Sequence, residues 1–193
     1  MKIMFVNSCV REKDSRSLKI AKRMLDVVPD GVEVHSIDLN EIDLLPYNNK
    51  SFNDMCQNGV EQRFYNLSKE ISKCDVLMIA TPFWDMGIPA LLKTFLEKLS
   101  IPDVMFHDDG KTCYGVSKIK HLVYVCTRGM NIPDGSELEQ ASPYLKALGH
   151  LWGIENFHMV SAYNMDYISP EEVERRINEA SDLGITILNN ILR

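Results

Sequence analysis

The sequence predicts an α/β domain built on a mostly parallel five-stranded sheet with helices on both faces. Two observations carry this. Five strand-like segments alternate with five helix-like ones along the chain. Three of the strands, residues 2–6, 76–80 and 121–126, are continuous apolar runs rather than alternating ones, the pattern of strands covered on both faces.

Each element follows in order. Residues 2–6 are the first strand, ending at Asn7-Ser8. Residues 15–28 place Leu18, Ala21, Met24 and Leu25 at helical spacing, and Pro29-Asp30-Gly31 stops that helix. Residues 32–37 alternate with period two, as a half-buried strand does. Residues 38–59 read as a long polar connection without clear periodicity, and 59–73 as a helix. After the strand at 76–80 comes a loop at 82–87. Pro89 then suits a first helical position, where its missing N–H is not needed. That helix runs to about Ser100 and buries Leu92, Phe95, Leu96 and Leu99. Residues 104–116 are irregular, with a small hairpin turning at Asp108-Asp109-Gly110. A strand at 121–126, a helix at 136–151 and a strand at 156–162 follow. Ser169-Pro170-Glu171-Glu172 reads as a capping box with proline at the first helical position. It opens a final helix that buries Val173, Ile177, Ala180, Ile187 and Ile191. No internal repeat, linker or low-complexity stretch divides the chain, so residues 1–193 are expected to form one domain.

Composition removes several classes of function. The 193 residues carry 21 Lys and Arg against 27 Asp and Glu, a net charge of −6. A nucleic-acid binder shows a basic excess or stripe, and neither is present. Hydrophobic residues are 45% and charged ones 25%, which excludes a disordered chain. No apolar run approaches the roughly 20 residues of a membrane-crossing helix. Residues 1–6 are too short for a signal-peptide core. The five cysteines, Cys9, Cys56, Cys74, Cys113 and Cys126, contain no C-x-x-C pair, so no metal site is expected. Reduced thiols in a cytoplasmic protein are the expectation, with Cys9 singled out because it lies in a candidate loop.

In doubly wound sheets, ligands bind outside the carboxyl ends of the strands, where the strand order reverses. Three segments therefore carry the candidate chemistry: 8–17, 81–87 and 127–136. The first contains Arg11, Lys13 and Arg16 against Glu12 and Asp14, so 3 − 2 = +1 within an acidic chain. It leads into a helix N-terminus, which favours anions, and the hydroxyls of Ser8, Ser15 and Ser17 can converge on one phosphate. An ordinary serine cap with solvated charges would look the same. Neither a G-x-G-x-x-G nor a P-loop pattern is present. The second segment, Thr81-Pro82-Phe83-Trp84-Asp85-Met86-Gly87, can wall a flat ring, or simply pack locally. In the third, Gly129 permits a close backbone approach. Together, a phosphate cradle, a ring wall and a close-approach glycine at one sheet edge describe a site for a phosphorylated flat ring such as FMN.

The chain resembles the FMN-dependent NADH-azoreductases and NAD(P)H quinone oxidoreductases of the flavodoxin-like superfamily. The resemblance rests on Ser8 with Ser15-Arg16-Ser17, on Pro82-Phe83-Trp84-Asp85-Met86, and on Ile88-Pro89-Ala90-Leu91-Leu92-Lys93. It continues through Val104-Met105-Phe106, Thr127-Arg128-Gly129, Pro143-Tyr144-Leu145 and Gly153-Ile154. It implies a flavodoxin-like three-layer fold with strand order 2-1-3-4-5, and a homodimer with FMN near the interface. In the family the first loop holds the FMN phosphate, which carries onto Ser8, Ser15 and Ser17, with Arg16 between the last two. The aromatic loop contacts the isoalloxazine, which carries onto Pro82, Phe83, Trp84, Asp85 and Met86. The loop after the fourth strand lies against the flavin, which carries onto Thr127, Arg128 and Gly129. Asp85 stands where the family commonly has Asn, and Met130 where it often has a second glycine.

The implied reaction is ping-pong. NADH or NADPH gives hydride to the flavin and leaves, and a flat acceptor (a quinone, azo dye or nitroaromatic) then takes two electrons. No side chain is expected to act as a nucleophile, and no catalytic residue is assigned. Phe106 and Tyr114 are candidates to cover the flavin from the 104–116 insert. A flavodoxin-like electron carrier or flavin sensor is the alternative of the same fold. A metal-binding receiver domain would need acidic residues after the first strand, where Asn7-Ser8-Cys9 stand. A cofactor-free interaction domain is the remaining class.

Overall fold

The structure, a computed structural model, describes residues 1–193. Five strands form one parallel sheet: β1 (Lys2–Asn7), β2 (Glu33–Asp38), β3 (Val76–Pro82), β6 (His121–Thr127) and β7 (Asn156–Ala162). Their spatial order is β2-β1-β3-β6-β7, and every neighbouring pair is parallel. Counted over these five, that is the expected 2-1-3-4-5. The two remaining strands, β4 (Phe106–Asp108) and β5 (Cys113–Gly115), make the expected antiparallel hairpin apart from the sheet.

Continuous apolar strands demand cover on both faces, and five helices supply it. On one face α3 (Gln62–Ile71), α4 (Ala90–Leu99) and α5 (Ala141–Trp152) bury Ile71, Phe95, Leu96 and Leu145 against Leu77, Ile79, Leu122 and Tyr124. On the other face α1 (Arg16–Leu25) and α6 (Pro170–Ile191) bury Ile20, Met24, Ile177 and Leu188 against Phe5, Met78, Val123 and Val125. Within α6, Ile177 and Ala180 are fully buried as expected, whereas Val173, Ile187 and Ile191 are only partly so.

Four local expectations are corrected. Residues 38–59 are not one irregular connection: they hold a short 3-10 turn (Leu39–Glu41) and α2 (Asn49–Asn58). That helix buries no residue, and its short apolar stripe, Phe52, Met55 and Cys56, stays largely at the surface. A reciprocal Asn48–Ser51 capping box holds it instead. The helix expected at 136–151 begins at Ala141, because the Glu139 carboxylate accepts the N–H groups of Ala141 and Ser142. Pro89 is the residue before α4, with ψ of 151°, rather than its first helical residue. At Ser169 only half of the box forms. Its Oγ accepts from Glu172 N, while the Glu172 carboxylate turns to Arg175 and Arg176.

The hairpin docks at the far end of α5, where Ser117 N–H donates to Trp152 O. Gly153 ends that helix with φ of 84°, and a Cβ on Gly115 would overlap the Gly153 backbone. Because α5 starts beyond the carboxyl end of β6 and runs back before β7, this is the amino edge of the sheet. Phe106 and Tyr114 therefore lie at the opposite end of the chain's own sheet from the three candidate loops.

At the start of β6 and β7, His121 Nδ1 lies 3.1 Å from His158 Nε2. Burial holds both rings below the ordinary histidine range. Lys120 adds to this at His121, and His121 adds to it at His158. The unfolded chain therefore takes up protons first as pH falls through 6.5. The pair contributes stability above that pH and loses it below. In His158→Gln, the urea midpoint should fall less steeply than in the wild type between about pH 6.5 and 5. An unaltered slope would count against the pair as its source.

Candidate functional site

The carboxyl ends of β1, β3, β6 and β7 lie side by side, since Asn7 pairs with Ala80, Pro82 with Thr127, and Thr127 with Ala162. The strand order reverses between β1 and β3, which opens a crevice there. A cavity of about 140 Å³ occupies it, lined by Arg11, Ser15, Arg16 and Ser17 on one side and by Pro82, Phe83, Trp84, Thr127 and Gly129 on the other. All three candidate loops therefore reach one cavity.

One end of the cavity is the start of α1. Ser15 caps that helix, its Oγ accepting from Leu18 N at 3.2 Å. Lys19 N–H bonds to Ser15 O, while the N–H groups of Arg16 and Ser17 have no acceptor within the helix. Ser17 Oγ lies 3.0 Å from Thr127 Oγ1, which ties the helix start to the end of β6. Cys9 lines the same wall. Burial pushes its thiol up to about 11, so it is a neutral thiol here and not a nucleophile.

The aromatic wall of the cavity is a tight turn. Trp84 and Gly87 exchange backbone hydrogen bonds at 3.1 and 2.9 Å. Asp85 and Met86 between them have φ of 48° and 67°. Two non-glycine residues in the left-handed region cost free energy, a feature that concentrates at ligand sites. Phe83 is buried at the cavity wall, and Trp84 stands 44% exposed beside it, leaving an aromatic face open to solvent.

Four of the expected site residues do not line the cavity. Ser8 is fully buried and its Oγ donates to Ala80 O at 3.2 Å, which locks β1 to β3. Asp85 and Met86 form the turn tip, with Met86 O accepting from Gln140 N. Arg128 points away from the cavity and is fully buried. Its Nη2 donates to Ser161 Oγ at 2.8 Å and pairs with Asp134, while Nε and Nη1 have no protein partner. The guanidinium lies 5.9 Å from the Phe83 ring centroid and 5.6 Å from that of Tyr163. It supports the wall from behind.

Sequence reasoning missed Asp166. This residue comes from the loop after β7, lines the cavity, and pairs with Arg16 Nη1 at 2.7 Å. Its carboxylate lies so close to Gly129 that a Cβ there would sit 2.7 Å from Asp166 Cγ. The glycine is needed for this approach, and its φ is unremarkable. The rule that selected the other three loops also covers the end of β7, and that was the available signal. A larger cavity, about 650 Å³, lies between α5 and the hairpin, on the amino side and away from these groups.

Sheet order, crevice and helix start define a doubly wound domain of the flavodoxin type. The chain belongs to the Flavodoxin_2 family, described as having a flavodoxin-like fold, whose model matches residues 1–183. It is 24% identical over 190 residues to an FMN-dependent NADH:quinone oxidoreductase of Clostridium beijerinckii, covering 94% of each chain. It is 29% identical over 110 residues to an FMN-dependent NADH:quinone oxidoreductase of Caldicellulosiruptor saccharolyticus. That match spans 56% of this chain and about half, 54%, of the relative. The solved structure of an FMN-dependent NADH-azoreductase from Bacillus anthracis in complex with FMN superposes with a TM-score of 0.80 at 18% identity. It covers 96% of this chain and 98% of that one. No helix here is long and apolar enough to cross a membrane.

Proposed function

We propose that this chain is an FMN-dependent NADH:quinone oxidoreductase that also reduces azo and nitroaromatic compounds. The observation that carries the proposal is the single cavity joining a helix N-terminus, two serines, an aromatic wall and Gly129 at the switch point. When bound, FMN would supply the redox chemistry, a two-electron transfer from NADH or NADPH to a flat acceptor in ping-pong half-reactions.

The chain's own groups bind and orient. The N–H groups of Arg16 and Ser17, the Ser15 hydroxyl and the Arg16 guanidinium suit a phosphate. Pro82, Phe83 and Trp84 suit the edge and face of a tricyclic ring. Ligand sites of that size run to about 300–1,000 Å³, so the cavity takes the phosphate end and leaves the ring against the open aromatic face. A second copy of the chain would supply the missing wall, which supports a homodimer with FMN near the interface. Five unpaired cysteines suit a reducing cytoplasm.

Mixing the protein with FMN and NADH under argon, then adding a benzoquinone, tests the proposal. Bleaching of the flavin by NADH and its return on quinone addition are expected, and a protein that neither binds nor reduces FMN refutes it. Replacing Ser15 and Ser17 together with Ala should weaken FMN binding by about 0.5–1.5 kcal/mol for each hydrogen bond lost. The lost cap should also cost the fold about 1 kcal/mol. Unchanged affinity by flavin-fluorescence titration would remove these serines from the phosphate site.

A further inference from the structure

We propose that Asp166 is a built-in counter-anion of the phosphate site. It occupies Arg16 until a phosphate takes the guanidinium from it, and it thereby sets how tightly phosphate-bearing ligands bind. The proposal rests on the FMN reading of the same cavity.

Asp166 is placed by its backbone. Asn164 N donates to Met130 O, Met165 N to Arg128 O, and Asp166 N to Gly129 O, at 2.8, 3.1 and 3.1 Å. The loop after β7 is thus zipped onto the loop after β6, and the carboxylate is delivered to the one position where a glycine leaves room for it. There it meets Arg16 Nη1 at 2.7 Å, the only hydrogen bond the Arg16 side chain makes to the protein. Both side chains line the cavity that the free N–H groups of α1 face.

A carboxylate in an anion cavity opposes the ligand twice. It competes for the guanidinium, and it repels a phosphate once the guanidinium has moved. The lining cations Arg11 and Arg16 are balanced by Asp14 and Asp166, so the cavity lining has no excess of positive side chains. A phosphate monoester carries nearly two charges and three strong acceptor oxygens near neutral pH, and it can take Arg16 bidentately. The Asp166 side chain is 60% exposed, so on release it can turn into water. Exposed ion pairs of this kind are weakly held. A ligand without a phosphate gains nothing from the exchange.

The test compares wild type with Asp166→Asn, and with Asp166→Ala as a second variant in case the first folds poorly. FMN and riboflavin are titrated by fluorescence, and inorganic phosphate by phosphorus line broadening. Asp166→Asn should bind FMN and inorganic phosphate about three- to tenfold more tightly at low salt, with the gain shrinking as salt rises and riboflavin unchanged. Weaker or equal phosphate binding in both variants would overturn the proposal, as would an equal change for riboflavin. If the wild type binds neither flavin, the FMN reading fails. The phosphate titration still decides the role of Asp166, since a gain in the variants supports it and no gain refutes it.

Discussion

Replacing Asp134 with Ala is expected to cost about 3 kcal/mol of folding stability, although its side chain is 53% exposed. The reason lies in its partner. Arg128 is fully buried between Phe83 and Tyr163, and Asp134 is the carboxylate paired with it. A guanidinium keeps its charge in a folded protein. Without Asp134 the charge stays buried with Ser161 Oγ as its remaining side-chain acceptor. Removing one member of such a pair is far more costly than removing the buried charge itself. Arg128→Met should therefore be milder than Asp134→Ala, and Arg128→Met combined with Asp134→Ala should recover part of the loss. Urea unfolding of the three variants checks the order. An Asp134→Ala midpoint within about 0.5 kcal/mol of wild type, the usual range of surface substitutions, would show that water already solvates the guanidinium.

Arg128 also shows where the sequence is silent. Thr127, Arg128 and Gly129 were read together as a flavin-facing loop, yet only Thr127 and Gly129 line the cavity. Along extended backbone, successive side chains point to opposite sides, so a motif of three adjacent residues splits two to one. Ser8 departs from its motif for another reason: at the end of β1 its hydroxyl meets Ala80 O on the neighbouring strand. The strands were legible because burial on both faces leaves continuous apolar runs, as in Val76–Pro82, whereas their order came only from the family resemblance. Helix α2 was not legible, because its only apolar residues, Phe52, Met55 and Cys56, make a stripe of one turn within a polar segment. The pairing of Asp166 with Arg16 had no local signal, since the two residues are 150 apart and the contact exists only once β1 and β7 share a sheet.

That contact makes Gly129 the most constrained position in the site. In Gly129→Ala the new Cβ would sit 2.7 Å from Asp166 Cγ and overlap its carboxylate oxygen. Two escapes exist. The Asp166 side chain can rotate away, which gives up Arg16, or the two loops can part, which strains the three backbone bonds that join them. Either route should destabilise the fold by about 1–3 kcal/mol, the range for an overpacked side chain. The cause can be isolated, because the clash is with one side chain. In an Asp166→Ala background the same substitution meets neither Cγ nor the oxygens, and its cost should fall by at least about 1 kcal/mol. Additive costs in the double-mutant cycle would mean that the loops absorb the methyl group without moving the carboxylate. A strong coupling would mean that the glycine is there for Asp166, and that the loops after β6 and β7 are shaped to bring a negative charge into the cavity at the start of α1.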